Sequence, residues 1–352
     1  MPDQRRRPRL LFYAMYDVSV ASNAPRVRIR ALADALGRRA EVTMVSGSPG
    51  TRLRAAAKLL AGRRLGRVDG VYVEAPTTTP MPWDLLVLAA ARALRRPVGV
   101  YFRDAYQLYR DLYPLAGRRG RLSDLAWRLT LPLLRRLASV HFVQSQGLAR
   151  VLRLQEAVLL PPGTDPLTPD LGAGTEPLVA YVGAMNPADG FDRLVEAMRL
   201  VRESVPAARL LAVGPAPTPG APLPEWVDVR QANREGLERL LAPARACVIP
   251  RPINAYTDLV RPVKISDYLA FGKPILATAT AETRAMLEPS GAALFVADSP
   301  SAIAAGLVRL LVEPELAETL ASQARALATA ESMTWDHRAG VILGALGLEP
   351  RP

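Results

Sequence analysis

Short, nearly continuous apolar runs alternate with helix-period segments along almost the whole chain, and this pattern restricts the fold more than any other feature. In the first half the runs are Leu10–Met15, Glu41–Ser46, Gly70–Glu74, Val98–Phe102 and Ser139–Ser145. Between them lie amphipathic stretches at Arg26–Leu36, Arg52–Leu60, Trp83–Leu94 and Leu122–Leu137, with another starting near Gln146. Runs apolar on both sides are buried on both faces, as in a parallel sheet clothed by helices. The pattern breaks from Gln155 to Pro177 around Leu160-Pro161-Pro162-Gly163-Thr164-Asp165, a turn-rich stretch, and then restarts. Strands are expected at Leu178–Val182, Ala208–Val213, Trp226–Arg230, Ala246–Pro250, Ile275–Thr278 and Leu294–Val296. Helices are expected at Gly190–Val201, Arg234–Ala242, Glu282–Leu287, Ser299–Val312 and Pro314–Met333. A chain of 352 residues exceeds the ~250–300 at which a single core stops growing, so two α/β domains are expected. Their expected spans are 1–160 and 178–330, joined by a linker at 161–177.

Composition narrows the class. Apolar residues make up 49% and charged ones 22% of the chain, a globular balance. Lys and Arg outnumber Asp and Glu 45 to 33, a formal net charge of +12 that favours an anionic partner: nucleotide, membrane surface or nucleic acid. No zinc spacing, RNA-binding aromatic motif or helix-turn-helix supports nucleic acid. One cysteine, Cys247, excludes an internal disulfide, and the two histidines, His141 and His337, belong to no metal constellation. His141 sits mid-strand among Val140, Phe142 and Val143 and reads as a core or near-core residue. No apolar run reaches the ~18–20 residues a bilayer span needs. Arg5-Arg6-Arg7 precedes an apolar stretch too short for a signal sequence. A cytoplasmic protein is expected.

The most informative stretch is Arg261 to Thr278. Pro262 is expected to open a short helix, Gly272 to stop it in the left-handed conformation, and Pro274 to bar its continuation. A helix start attracts anions, and Lys264 adds a cation there. Asp267, one turn on, offers a carboxylate to sugar hydroxyls.

This stretch resembles the donor-binding segment of retaining GT-B glycosyltransferases of family 4, the glycosyl transferases group 1. Relatives read roughly Pro-x-Lys-hydrophobic-x-Glu/Asp-Tyr-hydrophobic-Ala-x-Gly-Lys-Pro. Tyr181-Val182-Gly183 with Gly190-Phe191-Asp192-Arg193-Leu194 is similar to the first strand–loop–helix of their C-terminal domain, and the Pro161–Asp165 turn, Arg103-Asp104, Val143-Gln144-Ser145 and Thr334-Trp335 also have counterparts. The resemblance implies two Rossmann-like domains facing a cleft, with a C-terminal helix at 331–348 returning to the first. It implies metal-independent sugar transfer from a nucleotide-diphosphate donor, with no cofactor and with retained anomeric configuration. By the same likeness Lys264, and after it Arg261, would steady charge on the leaving phosphate, and Asp267 would hold the ribose. Gly183 and Ala184 would let backbone approach the phosphates, Asn233 would lie by the base, and Ile265 would belong to the donor segment.

Departures from the pattern matter. Ala184 and Asp189 stand where relatives carry phosphate-binding Arg and Lys, and Leu259, beside Asp258, replaces a sugar-contacting Glu. On the other domain, Asn23, Arg28 and Arg103 are acceptor-side candidates and Asp104 a catalytic one, since it directly follows a strand. For Arg28 a place on the helix surface is the competing reading. Tyr106, Tyr109 and Tyr113, followed by Arg118-Arg119, Arg121, Trp127, Arg128, Arg135 and Arg136, form a basic amphipathic segment. It suits either an ordinary core-packed helix or an anionic membrane surface, with a cell-envelope glycan or lipid-linked acceptor. The competing functions are a non-catalytic nucleotide- or glycan-binding relative and a sugar-nucleotide epimerase. The second would need acid–base side chains that two histidines poorly supply.

Overall fold

A computed structural model describes residues 6–19, 24–62, 64–114, 117–165, 170–215, 222–232 and 234–349. The chain forms two compact units, Met1–Pro162 with Trp335–Pro352, and Gly163–Thr334.

In the first unit the order is β1 (Arg9–Ala14), α1 (Ala24–Arg39), β2 (Glu41–Val45), α2 (Pro49–Ala61), β3 (Gly70–Glu74) and α3 (Pro82–Ala93). Then come β4 (Val98–Phe102), α4 (Gly117–Leu137), β5 (Val140–Val143), α5 (Gln146–Val151) and the two-residue β6 (Val158–Leu159). All described pairings are parallel, in the order β2-β1-β3-β4-β5-β6. Alternate residues of each strand enter opposite faces. Leu11, Tyr13, Val71, Val73 and Val100 pack under α2, α3 and α4. Leu10, Phe12, Tyr72, Tyr101 and Phe142 pack on the other side with Ile29 and Leu32 of α1. Trp335, Ala339, Ile342 and Leu343 of the last helix, which runs from Trp335 to Ala345, join that second face. β6 has no sequence signal, being two residues long.

The second unit contains β7 (Glu176–Val182), α6 (Phe191–Ser204), β8 (Arg209–Val213), β9 (Val227–Arg230), α7 (Arg234–Leu241) and β10 (Ala244–Ile249). It continues with α8 (Lys264–Ala270), β11 (Ile275–Thr278), α9 (Ala281–Leu287), β12 (Leu294–Val296), α10 (Pro300–Val312) and α11 (Pro314–Thr329). The helix Trp335–Ala345 is therefore α12. The sheet runs β12-β11-β10-β7-β8-β9, again parallel. Ala180, Cys247, Ile249, Ile275 and Ala277 meet α8, α9 and α11 on one face. Val179, Tyr181, Ala246, Val248 and Leu276 meet α6 and α10 on the other. Each fully buried Leu, Ile or Val contributes about 1.5–3 kcal/mol against exposure, so both units have ample cores. Cys247 is fully buried, and burial pushes its thiol up to about 12.

Two details of the Arg261–Thr278 stretch bear on the site. Gly272 is left-handed, φ +62°, as its place after α8 indicates, and a Cβ there would lie 2.3 Å from Asp170 Oδ1. Pro262, by contrast, does not open the helix. α8 starts at Lys264 with Val263 as its cap, and the Ile265 and Ser266 N–H groups already donate to the Pro262 and Val263 carbonyls. The helix end thus has fewer unpaired donors than the sequence suggests, which leaves the Lys264 side chain as its main anion-seeking group.

Candidate functional site

Open parallel sheets bind ligands beyond the strand carboxyl ends, where the strand order reverses. In the second unit that place is between β7 and β10, which are hydrogen-bonded neighbours although far apart in sequence. Gly183 follows β7, and Arg251 lies two residues beyond β10.

Lys264 comes to this point from α8. The residue is half-buried, but its Nζ is shut off from solvent and has no hydrogen-bond partner. It stands 4.0 Å from the centroid of the Tyr181 ring, a cation–π contact. A Cβ on Gly183, whose φ is +139°, would lie 3.0 Å from Nζ, so only glycine leaves this backbone open to the ammonium. Gly214, after β8, closes up beneath: a Cβ there would lie 2.1 Å from the Gly183 carbonyl oxygen. Desolvation lowers the Lys264 pKa to about 8, with Asp189 opposing the shift and Arg251 adding to it. Asp189 and Arg251 form an ion pair at 3.6 Å. The cluster therefore holds two cations and one carboxylate, and its lysine has no hydrogen-bonding counter-group. A buried unpaired ammonium is costly, and an anion is what would satisfy it.

Tyr268 fixes α8 against the switch point. Its fully buried hydroxyl donates to the Val248 carbonyl of β10 and accepts the Val182 N–H of β7, at 3.2 and 2.9 Å. Removing the hydroxyl orphans both groups. Tyr268→Phe should cost about 1–3 kcal/mol, read as a lower midpoint in urea. An unchanged midpoint would show that the hydroxyl does not clamp the strands.

The other donor-side expectations divide. Asp267 is half-buried in the first turn of α8, one turn after Lys264. Ala184 is exposed, and its carbonyl accepts the Tyr181 hydroxyl at 2.6 Å. Ile265 is corrected: its side chain is fully buried in the core and its N–H is engaged, so it anchors α8 rather than facing a ligand. Arg261 is not a spare cation, because its Nε donates to Glu282 at 2.7 Å. Asp258 caps α9 by accepting the Ala281 N–H at 2.8 Å, so it does not supply the carboxylate that Leu259 lacks. Asn233 and Asn23 lie outside the described residues.

The first unit has its own polar cluster where its strand order reverses, between β1 and β3. Glu74, fully buried at the end of β3, accepts from Arg28 at 3.2 Å, Arg103 at 2.9 Å and the Tyr72 hydroxyl at 2.8 Å. Arg28 is not on the helix surface: it is fully buried, stacks 3.9 Å over Tyr101, and its Nη1 and Nη2 have no hydrogen-bond partner. Val27, the residue before it, is 42% exposed. Two guanidinium groups thus share one carboxylate. Asp104, half-buried, is the second residue past β4, after Arg103. His141 is half-buried in β5, its Nε2 3.0 Å from the Arg135 carbonyl. No three His, Cys, Asp or Glu side chains come together to hold a metal among the described residues.

Sequence reasoning missed Tyr181, Tyr268, Gly214 and Arg251. Arg251 was within reach of the argument applied to Asp104, since it too lies just past a strand's carboxyl end.

The family profile of the glycosyl transferases group 1 matches residues 176–313, which contain the whole Lys264 cluster. No curated protein matches the sequence. Among solved structures, sucrose-phosphate synthase from Thermosynechococcus elongatus superposes with a TM-score of 0.68 at 19% identity, covering 97% of this chain and 98% of that one. HepE of Anabaena, solved in complex with UDP-glucose, gives 0.67 at 16% identity, covering 96% and 99%. WaaG, a glycosyltransferase involved in lipopolysaccharide biosynthesis, gives 0.65 at 15% identity, covering 95% and 100%. The chain has the two-unit GT-B fold of these structures, and residues 176–313 of its second unit resemble the glycosyl transferases group 1 family.

Proposed function

We propose that the protein transfers a sugar from a nucleotide-diphosphate donor to a cell-envelope glycan or lipid-linked acceptor, retaining the anomeric configuration and using no metal. The observation that carries this reading is the solvent-shielded Lys264 ammonium, unpaired beside the open backbone of Gly183. In the transfer, the bond from the anomeric carbon to the β-phosphate oxygen breaks and the nucleotide diphosphate takes the electron pair. A fixed cation next to that oxygen stabilises the growing charge. Lys264 fills this role, with Arg251 as the second cation the sequence lacked at Ala184. The acceptor hydroxyl forms the new bond and gives its proton to the departing phosphate, so no protein base is needed. We assign the acceptor to the first unit, whose Arg28–Glu74–Arg103 cluster sits at the carboxyl end of β3.

Donor binding then depends on the protonated lysine. In the free protein the ammonium loses its proton near pH 8, and a bound diphosphate raises that value. Affinity for a nucleoside diphosphate should fall up to roughly tenfold per pH unit above 8, with proton uptake on binding at pH 8.5. Calorimetry in buffers of different ionisation enthalpy reads this uptake, and its absence would remove Lys264 from the phosphate.

Transfer itself is tested by incubating the protein with a panel of nucleotide sugars and following release of nucleoside diphosphate, with the product's anomeric configuration read by NMR. Nucleotide binding without release would instead favour a binding protein. That second reading draws on Asp258, which is committed to α9 and leaves no carboxylate at the place Leu259 occupies.

A further inference from the structure

Helix α4 buries one face and exposes four leucines on the opposite one. Asp124, Trp127 and Leu134 face the core. Leu122, Leu125, Leu129 and Leu133 are 66, 53, 69 and 41% exposed. At 3.6 residues per turn these four leucines fall within roughly 80° of arc, centred opposite the buried side. Trp127 therefore does not belong to the outward face. A helix apolar on both sides is normally covered on both sides, and four neighbouring exposed leucines are more than scattered surface residues.

The charges say what covers them. α4 carries six arginines and a single acid, Asp124, which is buried and already paired with Arg110 and Arg128. Arg118, Arg119, Arg121, Arg128 and Arg136 are exposed. On the helical wheel Arg118 and Arg136 lie in the leucine stripe, at its two ends, while Arg121 and Arg119 flank it. A second copy docked antiparallel on this face would set Arg118 against Arg136, like against like. An anionic lipid surface instead accepts both features, leucines below the headgroups and guanidinium groups among them, the two signals that peripheral anchoring requires.

We propose that the outer face of α4 docks the first unit on an anionic bilayer, lying in its interface. No helix among the described residues is long and apolar enough to cross a membrane, so the contact is peripheral. The proposal does not depend on sugar transfer, because lipid binding is read without donor or acceptor.

The test is co-sedimentation of the full chain with vesicles of phosphatidylcholine, alone or with one-third phosphatidylglycerol, at low and high salt. The protein should sediment with the anionic vesicles only, and high salt should weaken binding about tenfold or more. Leu125→Asp/Leu129→Asp and Arg118→Glu/Arg121→Glu should each lower partitioning at least about tenfold while leaving the melting temperature unchanged, since all four side chains are exposed. Failure of the parent protein to bind anionic vesicles would overturn the proposal, as would a leucine variant that binds equally well. A dimer in sedimentation velocity that Leu125→Asp/Leu129→Asp abolishes would assign the face to a second copy instead.

Discussion

Lys264→Met should make the ligand-free protein more stable and unable to work. The ammonium is buried without a hydrogen-bonding partner, and its pKa is lowered from an ordinary 10.5 to about 8 by desolvation. A tenfold loss of proton affinity corresponds to about 1.4 kcal/mol. Allowing for relaxation around the site, methionine should contribute on the order of 1–2 kcal/mol, or several degrees in melting temperature for a unit of this size. Because the folded value lies below the unfolded one, the unfolded chain binds more protons between pH 8 and 10.5. The parent protein therefore gains stability with rising pH across that window, and the burial cost is present in full below pH 8. The advantage of methionine should accordingly be largest at pH 7 and shrink by pH 9.5. In the same variant turnover should fall by roughly 10²–10³, the usual effect of losing one charge-stabilising donor. A variant that is destabilised at neutral pH would show that Lys264 is a structural residue with a satisfied charge.

Lys273→Met should behave in the opposite way. The two lysines are only nine positions apart, yet Lys273 Nζ donates to three backbone carbonyls, Gly172 at 2.9 Å, Ala242 at 3.1 Å and Ala244 at 3.0 Å. It ties the loop leading into β7, the turn just after α7 and the start of β10 at one point, and the side chain is fully buried. Desolvation lowers its pKa, so the three carbonyls are what keep the charge tolerable there. Removing it takes a charged donor from all three buried carbonyls, of which Ala244 keeps the Gly174 N–H at 3.0 Å, at a cost of about 3–5 kcal/mol. Denaturant unfolding of the second unit should shift by that amount, with nucleotide affinity in the surviving folded fraction unchanged. Equal stability of parent and variant would contradict the assignment.

The contrast between these lysines shows what a sequence reveals and what it hides. The strands of both units are legible because burial on both faces makes them continuous apolar runs, as in Leu10–Ala14 and Ile275–Thr278. Glycine and proline mark the stop after α8. Charged side chains are harder to place, because a helix-period arginine looks the same whether it faces water or a buried carboxylate. Arg52 reads as part of a basic helix, yet it is buried and bonded to Asp84 at 3.1 Å, and Asp84 also accepts the Tyr13 hydroxyl at 2.7 Å. Arg28 and Glu74 are 46 positions apart, and nothing local links them. Arg261 pairs with Glu282 across the β11 crossover for the same reason. The motif points to Lys264, but that it is unpaired can be learned only from its surroundings: Tyr181 stands in β7, Gly183 and Asp189 in the connection from β7 to α6, and Arg251 in the loop after β10.

The most direct test is a calorimetric titration of UDP, GDP and ADP into the parent protein and into Lys264→Ala at pH 7.5. At least one nucleotide should bind the parent and bind the alanine variant about a hundredfold or more weaker, in line with removal of a charge-assisted contact. Equal affinity in the two proteins, or no binding of any nucleoside diphosphate to the parent, would contradict a phosphate seat at Lys264.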